Sequence, residues 1–271
     1  MTMPRRNRLG YVAALAVGVS LFAAACAGAG QGRPNAGNNQ EGRAAGPAAP
    51  AVSLTSRQAR HALLTEAYLG SQWTEAEDSG DRRDGLLRGT VDTQDWLTHE
   101  EYAAACQQLL DRLSGGRILG TPLAGTQAVA VFDADNGNRL RYEVGTYPAA
   151  ELRSARSWFG ALPQKCGVFT AVRPDGRTED VRVTSLPVPE GDGTRQALSV
   201  VAKGTTEGVP FTMSLDVALM TSGDSAISLV NGGLADASHL TTGLAVRLGA
   251  PRLTTVLAGG TPPPQPAGLL D

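Results

Sequence analysis

Hydrophobic residues recur along this chain with two different periods, and the change from one period to the other predicts the order of helices and strands. Four segments have the helical spacing: residues 55–69, 98–113, 148–162 and 235–247. Gly70 ends the first segment, and Thr98 with Glu101 matches a capping box at the start of the second. The chain therefore contains four predicted amphipathic helices.

Among and after these helices, apolar residues form the short runs that are typical of strands. Seven segments have this pattern: residues 127–133, 138–146, 167–172, 179–185, 195–203, 209–220 and 225–230. Connections between most neighbouring runs are too short for the crossovers that parallel strands need. We therefore predict an α+β fold, a single domain with one disulfide, whose central antiparallel β-sheet has helices packed mainly on one face. The other face is expected to be partly open, where a ligand or partner would sit.

The start of the chain resembles a bacterial lipoprotein signal. Three arginines precede an apolar stretch over residues 11–22, and three alanines then precede Cys26. Residues 1–25 are therefore predicted to be a signal peptide, after which the thiol of Cys26 carries a lipid. The alternative is an ordinary secretory signal cleaved after Ala25. Both alternatives predict an exported protein.

Two segments are too poor in large apolar residues to bury the surface that would offset the entropy of ordering them. Residues 26–51 are expected to be a disordered tether that begins with the lipidated cysteine, and residues 251–271 a flexible tail rich in Pro and Gly. The folded domain is then predicted over residues 52–250.

The cysteines other than Cys26 form an even pair, Cys106 and Cys166. In an exported protein, such a pair is most simply one disulfide. The histidines lie singly at positions 61, 99 and 239, whereas a zinc site needs His and Cys ligands at short spacing. We therefore predict a disulfide between Cys106 and Cys166, no metal site and no cofactor.

The charge of the chain excludes one class of function. There are 24 basic and 26 acidic residues, and three of the basic ones belong to the predicted signal peptide. The exported part is therefore acidic, without the basic footprint of a nucleic-acid-binding protein. The paucity of lysine and the abundance of Ala, Gly and Arg resemble proteins of actinobacteria.

Catalytic motifs were considered and are not predicted. The segment around Ser225 superficially resembles the serine region of chymotrypsin-like proteases, but Ala226 follows it and neither His61 nor His239 lies in a matching context. A cluster of five carboxylates lies in one segment: Glu75, Glu77, Asp78, Asp81 and Asp84. It lacks the spacing of a calcium loop and includes Arg82 and Arg83, so we interpret it as a solvated loop.

Several features in combination resemble a known family. They are Trp96 followed by Cys106, a helix after Tyr147-Pro148, the segment 162–166 around Cys166, the Gly191-Asp192 loop and the final amphipathic helix. This combination is similar to the extracellular sensor domains of mycobacterial PknH-type Ser/Thr kinases and to related actinobacterial lipoproteins. The resemblance covers about residues 54–248.

The resemblance implies an α+β fold with a central antiparallel sheet, a cleft for a small extracellular ligand, and no catalytic activity. Two departures accompany it. Kinase-linked members carry a second disulfide, for which this chain has no cysteines, and no kinase or transmembrane module is expected here.

The sequence therefore predicts a lipoprotein anchored on the extracytoplasmic face of the cell membrane that acts as a non-catalytic ligand-binding or sensor-like module. Its expected partners are the membrane, through the lipid, and a small ligand or an envelope protein. One alternative is a cell-envelope hydrolase of unrecognised type, which a histidine with an acidic partner in a cleft would favour. The other is a structural envelope protein, which would have no cleft.

Overall fold

The computed structural model describes residues 53–76, 96–98, 103–191 and 193–264. Predictions about the signal peptide, Cys26 and the tether lie outside these residues. So do His99, Glu101 and most of the carboxylate cluster, from Glu77 to Asp84. In the described ranges, no helix has both the length and the apolar character needed to cross a membrane.

The described chain forms four α-helices, a short 3₁₀ helix and nine strands. The α-helices are α1 (Ser56–Ala62), α2 (Ala103–Ser114), α3 (Ala149–Lys165) and α4 (His239–Leu257), with the 3₁₀ helix at Glu66–Tyr68. The strands are β1 (Trp73–Glu75), β2 (Leu97–Thr98), β3 (Ala128–Ala134), β4 (Arg139–Thr146), β5 (Val168–Val172), β6 (Thr178–Ser185), β7 (Thr194–Thr206), β8 (Val209–Ser222) and β9 (Ser225–Gly233).

All nine strands form one antiparallel sheet in the order β1-β3-β4-β9-β8-β7-β6-β5-β2. This confirms the predicted α+β class and its antiparallel sheet. The seven predicted strands are all present. The two additional strands, β1 and β2, lie at the edges, and their three and two residues are too short for an alternating pattern to be recognised.

The helices cover both faces of the sheet, and the prediction that they pack mainly on one face is wrong. Along β8, Leu215 and Val217 face a core that includes α2 and α3, whereas Ala218 and Met220 face a second core with α1 and α4. Strands β4, β8 and β9 are buried on both sides, which requires other elements to pack on both faces of the sheet. An open region remains along β6, where every second residue is exposed.

The first two predicted helices begin or end elsewhere in the structure. The first ends at Ala62 because Leu63 takes an extended conformation, with ψ 148°, and a separate 3₁₀ helix follows. Thr98 belongs to β2 instead of capping a helix. Its hydroxyl donates to the carbonyl oxygen of Ala103 over 2.9 Å, whereas a capping side chain would accept a hydrogen bond.

The last helix begins later and ends later than predicted. It runs through Pro251 to Leu257, so residues 251–257 are helical although we assigned them to the tail. Proline removes one helical hydrogen bond, which is why the sequence suggested an end before it. Burial of Leu253 and Val256 in the core shared with α1 offsets that loss.

The predicted disulfide is present between Cys106 of α2 and Cys166, the residue that caps the end of α3. Both half-cystines are buried in the core beneath these helices. The bond therefore holds the two helices of this face to each other.

Gly249 of α4 is expected to be essential to packing, because a Cβ atom there would lie 2.2 Å from the hydroxyl of Tyr142. Tyr142 is fully buried and has little room to move. We expect Gly249→Ala to lower the free energy of unfolding by about 1–3 kcal/mol through overpacking. Gly243→Ala in the same helix is the matched control, since no heavy atom lies within 4 Å of its Cβ position.

The control variant Gly243→Ala should have a free energy of unfolding higher by up to about 1 kcal/mol, because alanine has a higher helix propensity than glycine. Urea unfolding followed by circular dichroism measures both variants. Equal stabilities of the two variants would contradict the close packing of α4 on β4.

Candidate functional site

The largest of three described clefts, about 840 Å³, lies at the edge of the sheet beside β3. The residues around it are Arg60, Leu63, Glu75, Gly115, Arg117, Gln127, Ala128, Val129 and Arg141. Two smaller clefts of about 340 and 220 Å³ share Val188 and Arg195. We take the largest cleft, called the arginine cleft below, as the candidate site because its charged groups converge.

The shape of the arginine cleft follows from the shortness of β1. This strand pairs with β3 only along Phe132–Ala134, and one further hydrogen bond joins the Ala76 nitrogen to the Val131 oxygen over 2.8 Å. Residues 128–130 of β3 extend past the end of this pairing, and Ala128 and Val129 line the cleft. The cleft is therefore built on a strand edge.

Three arginines reach this cleft from different elements. Arg60 comes from α1, Arg117 follows α2, and Arg141 belongs to β4. Arg60 and Arg117 are exposed, and within the described part of the chain neither forms a salt bridge with a carboxylate. Among the described residues, these two cations are therefore in no salt bridge, although Glu75 also lines the cleft and the chain as a whole has a net charge of −2.

Arg141 forms the polar floor of the cleft together with Glu143, which is 1% exposed. The two side chains are joined by a salt bridge of 2.5 Å between Nη1 and Oε2. The other carboxylate oxygen of Glu143 accepts from Gln127 Nε2 over 2.8 Å and from the Tyr147 hydroxyl over 3.4 Å. These contacts fix the orientation of Arg141.

The Tyr147 hydroxyl remains a donor in this network. Burial raises its pKa well above the usual value for tyrosine, and the negative charge and hydrogen bond of Glu143 raise the pKa further. The neutral hydroxyl therefore remains available as a donor to Glu143.

The chemistry of these groups fits an anion. A guanidinium group presents several N–H donors in a plane that matches the oxygens of a carboxylate or phosphate. Arg60 and Arg117 provide positive charge to this concave space, whereas the charge of Arg141 is balanced by Glu143. Among the residues that the structure describes, no three or more His, Cys, Asp or Glu side chains are grouped to hold a metal ion.

His239 is paired with a carboxylate, a feature that the sequence did not reveal. Its Nδ1 lies 2.8 Å from Oδ2 of Asp216, and the hydroxyl of Thr242 donates to the same oxygen over 2.8 Å. Asp216 is fully buried on β8, and His239 begins α4 above it. The pair lines none of the three clefts. It satisfies a buried carboxylate at the start of the helix.

The other residues considered for catalysis have structural surroundings. Ser225 is fully buried, and its hydroxyl lies 3.0 Å from Oγ1 of Thr146 on β4. His61 is exposed on α1, and its carbonyl oxygen accepts from Arg252. Glu75 ends β1 and is the member of the predicted carboxylate cluster that lines the arginine cleft.

Sequence reasoning missed this cleft. In β4, apolar residues alternate with Arg139, Arg141 and Glu143, a pattern that is typical of one solvent-facing side, yet Arg141 and Glu143 are both buried. The adjacent charges in one strand were the available signal. For Arg60 and Arg117 the sequence offered no signal, since only the fold brings them to the same edge.

Comparisons with known proteins give a structural similarity but no family. No protein-family model matches the chain, and no curated protein matches it. Among solved structures, the extracellular domain of PknH from Mycobacterium tuberculosis aligns with a TM-score of 0.43 and 11% sequence identity. The alignment covers 74% of this chain and 97% of that domain. The similarity is distant, and the function must be inferred from the cleft.

Proposed function

We propose that this protein is a lipid-anchored extracytoplasmic binding module that recognises an anionic ligand in the arginine cleft. The observation that carries the proposal is the convergence of Arg60, Arg117 and Arg141 on one concave space of about 840 Å³. Two of these cations have no carboxylate partner in the described residues, so a ligand anion would supply the missing charge.

The anchoring part of the proposal depends on the start of the sequence. An apolar stretch followed by three alanines and Cys26 supports lipidation of that thiol, and residues 27–51 would then link the lipid to the folded domain. Treated as a flexible coil, such a tether reaches roughly 25–30 Å, which would lift the cleft clear of the lipid headgroups. The mass of the mature N-terminal peptide from isolated membranes tests this attachment.

A binding role is proposed in preference to catalysis. The polar side chains that line the cleft are the three arginines, Gln127 and Glu75, and the described lining includes no serine, cysteine or lysine that could act as an activated nucleophile. The alternative of a hydrolase would involve His239, because its Nδ1 contacts Asp216. That alternative predicts turnover of an ester or peptide substrate that His239→Ala abolishes.

Anion titration tests the binding role. The full chain, purified in mild detergent, is titrated with succinate and with phosphate by calorimetry at low ionic strength, because salt screens exposed charges. The double variant Arg60→Gln with Arg117→Gln is expected to bind either anion at least about tenfold more weakly, given the strength of charge-assisted hydrogen bonds.

A matched control separates the cleft from general charge effects. Arg57 lies on α1 one turn before Arg60, and Arg153 lies on α3; both are exposed and neither lines the cleft. The double variant Arg57→Gln with Arg153→Gln removes the same charge and should bind as the unaltered protein does. Equal weakening in both double variants, or no measurable binding of either anion, would refute the proposed site.

A further inference from the structure

In the part of the chain that the structure describes, the edge of β3 inside the arginine cleft has no neighbouring strand beyond Val131. On one side β3 pairs with β4 from Ala128 to Asp133. On the other side β1 pairs only with Phe132–Ala134, and the bond from Ala76 to Val131 completes this contact. Within the described ranges, no residue pairs with residues 128–130 on that side.

The backbone of Val129 faces the unpaired side. The Val131 carbonyl oxygen points toward β1, since it accepts from the Ala76 nitrogen. Backbone N–H and C=O groups of alternate residues point to the same side of an antiparallel strand. The N–H and C=O of Val129, two residues earlier, therefore point away from β4 and toward the cleft that Val129 lines. Such groups form a template for another strand.

Arg60 and Arg117 lie on opposite faces of the sheet at this edge. Arg60 belongs to α1, which packs in the core with Ala128 and Ala130 on one face of the sheet. Arg117 immediately precedes Ile118, which packs in the core of the other face with α2. A strand added beside β3 would direct successive side chains to the two faces in turn. Two neighbouring side chains of such a strand would therefore approach Arg60 and Arg117 respectively.

We propose that the occupant of the arginine cleft is an extended acidic segment of another protein, which pairs through its backbone with β3 at Val129 and places two consecutive carboxylates against Arg60 and Arg117. This inference rests on the proposed function of the same cleft and specifies its ligand. An acidic segment is chosen because Arg60 and Arg117 are positively charged and both lack a carboxylate partner in the described part of the chain. In this mode of recognition, the bound segment adds a strand to the edge of the sheet.

The test compares two peptides that differ only in backbone donors. The probe is the blocked tetrapeptide acetyl-Thr-Glu-Glu-Thr-amide, and its partner carries N-methyl groups on both glutamate nitrogens. Side-chain charge is the same in both, whereas methylation removes the donors and blocks strand pairing. We expect the methylated peptide to bind at least about tenfold more weakly to the full chain, from the lost hydrogen bonds and steric contact.

Amide hydrogen exchange locates the contact. The Val129 amide should exchange markedly more slowly when the unmethylated peptide is present and should be unaffected by succinate. Val129→Pro removes the N–H that faces the cleft without removing a bond to β4. In this variant the unmethylated peptide should bind more weakly than it binds to the unaltered protein, because the bond from the Val129 N–H to a peptide carbonyl is lost. If the variant does not fold, the peptide pair and the exchange measurement decide the question with the unaltered protein.

Each outcome separates this inference from the proposed function. Succinate binding together with equal affinity for the two peptides would overturn strand addition and leave anion binding intact. A lysine version of the peptide that binds as well as the acidic one would overturn the role of the arginines. A dimer that protects Val129 without peptide would show that a second copy of the chain is the occupant. If succinate and phosphate also fail to bind, the proposed function itself falls.

Discussion

Loss of the bond between Cys106 and Cys166 is expected to lower the free energy of unfolding by about 4 kcal/mol. The two cysteines are separated by 60 positions, so the crosslink removes a large amount of chain entropy from the unfolded state. Both are buried between α2 and α3, the helices that cover one face of the sheet. The double variant Cys106→Ser with Cys166→Ser, unfolded in urea, measures the effect.

The reducing agent provides the control for this experiment. Dithiothreitol should destabilise the unaltered protein to a similar extent and should leave the double variant unchanged, because that variant has no crosslink to reduce. If the free energies of unfolding of the oxidised and reduced protein differ by less than about 1 kcal/mol, the structural role of the disulfide is contradicted.

Replacement of Arg173 by alanine is expected to lower the free energy of unfolding by a similar amount, about 3–5 kcal/mol. The substitution leaves the buried carboxylate of Glu179 without its partner. Glu179 on β6 is fully buried, and its Oε1 lies 2.8 Å from Nε of Arg173. The guanidinium of Arg173 also lies over the ring of Trp96, at 5.5 Å from its centre. Urea unfolding of Arg173→Ala measures the loss.

Two further variants identify the cause. Arg173→Ala combined with Glu179→Gln should recover part of the stability, because it removes the uncompensated charge. Arg177→Ala breaks the exposed pair with Asp175, whose atoms are 2.7 Å apart, and should leave the unfolding midpoint unchanged. An Arg173→Ala variant as stable as Arg177→Ala would show that the buried pair contributes little.

The sequence patterns predicted the helices and strands, but they did not predict that helices pack on both faces of the sheet. The alternation of β6 and the runs of β8 and β9 were sufficient to predict strands, and the short turns between them were sufficient to predict antiparallel pairing. Burial on both faces was also present in the apolar runs of β8 and β9. We underestimated it because α4 was expected to end at residue 247, before the part that includes Leu253 and Val256.

The candidate site was predictable only in part. The sequence indicated an exported binding module and a partly open sheet, and neither statement located the cleft. Arg60 and Arg117 lie 57 positions apart in the chain, and their convergence depends on the end of β1 at Glu75. A strand of three residues leaves no periodic signal, so the free edge of β3 could not be inferred from the pattern.

The order of the strands has a consequence for how the chain acquires its fold. Strands β5 to β9 are neighbours in both sequence and space, so they can pair by local hairpins. Strand β4 instead pairs with β9, and the contact between Thr146 and Ser225 spans 79 positions. Closing so long a loop is entropically unfavourable until both partners are formed. We therefore expect the β5–β9 meander to form first and the β3–β4 hairpin, whose docking creates the arginine cleft, to join it later.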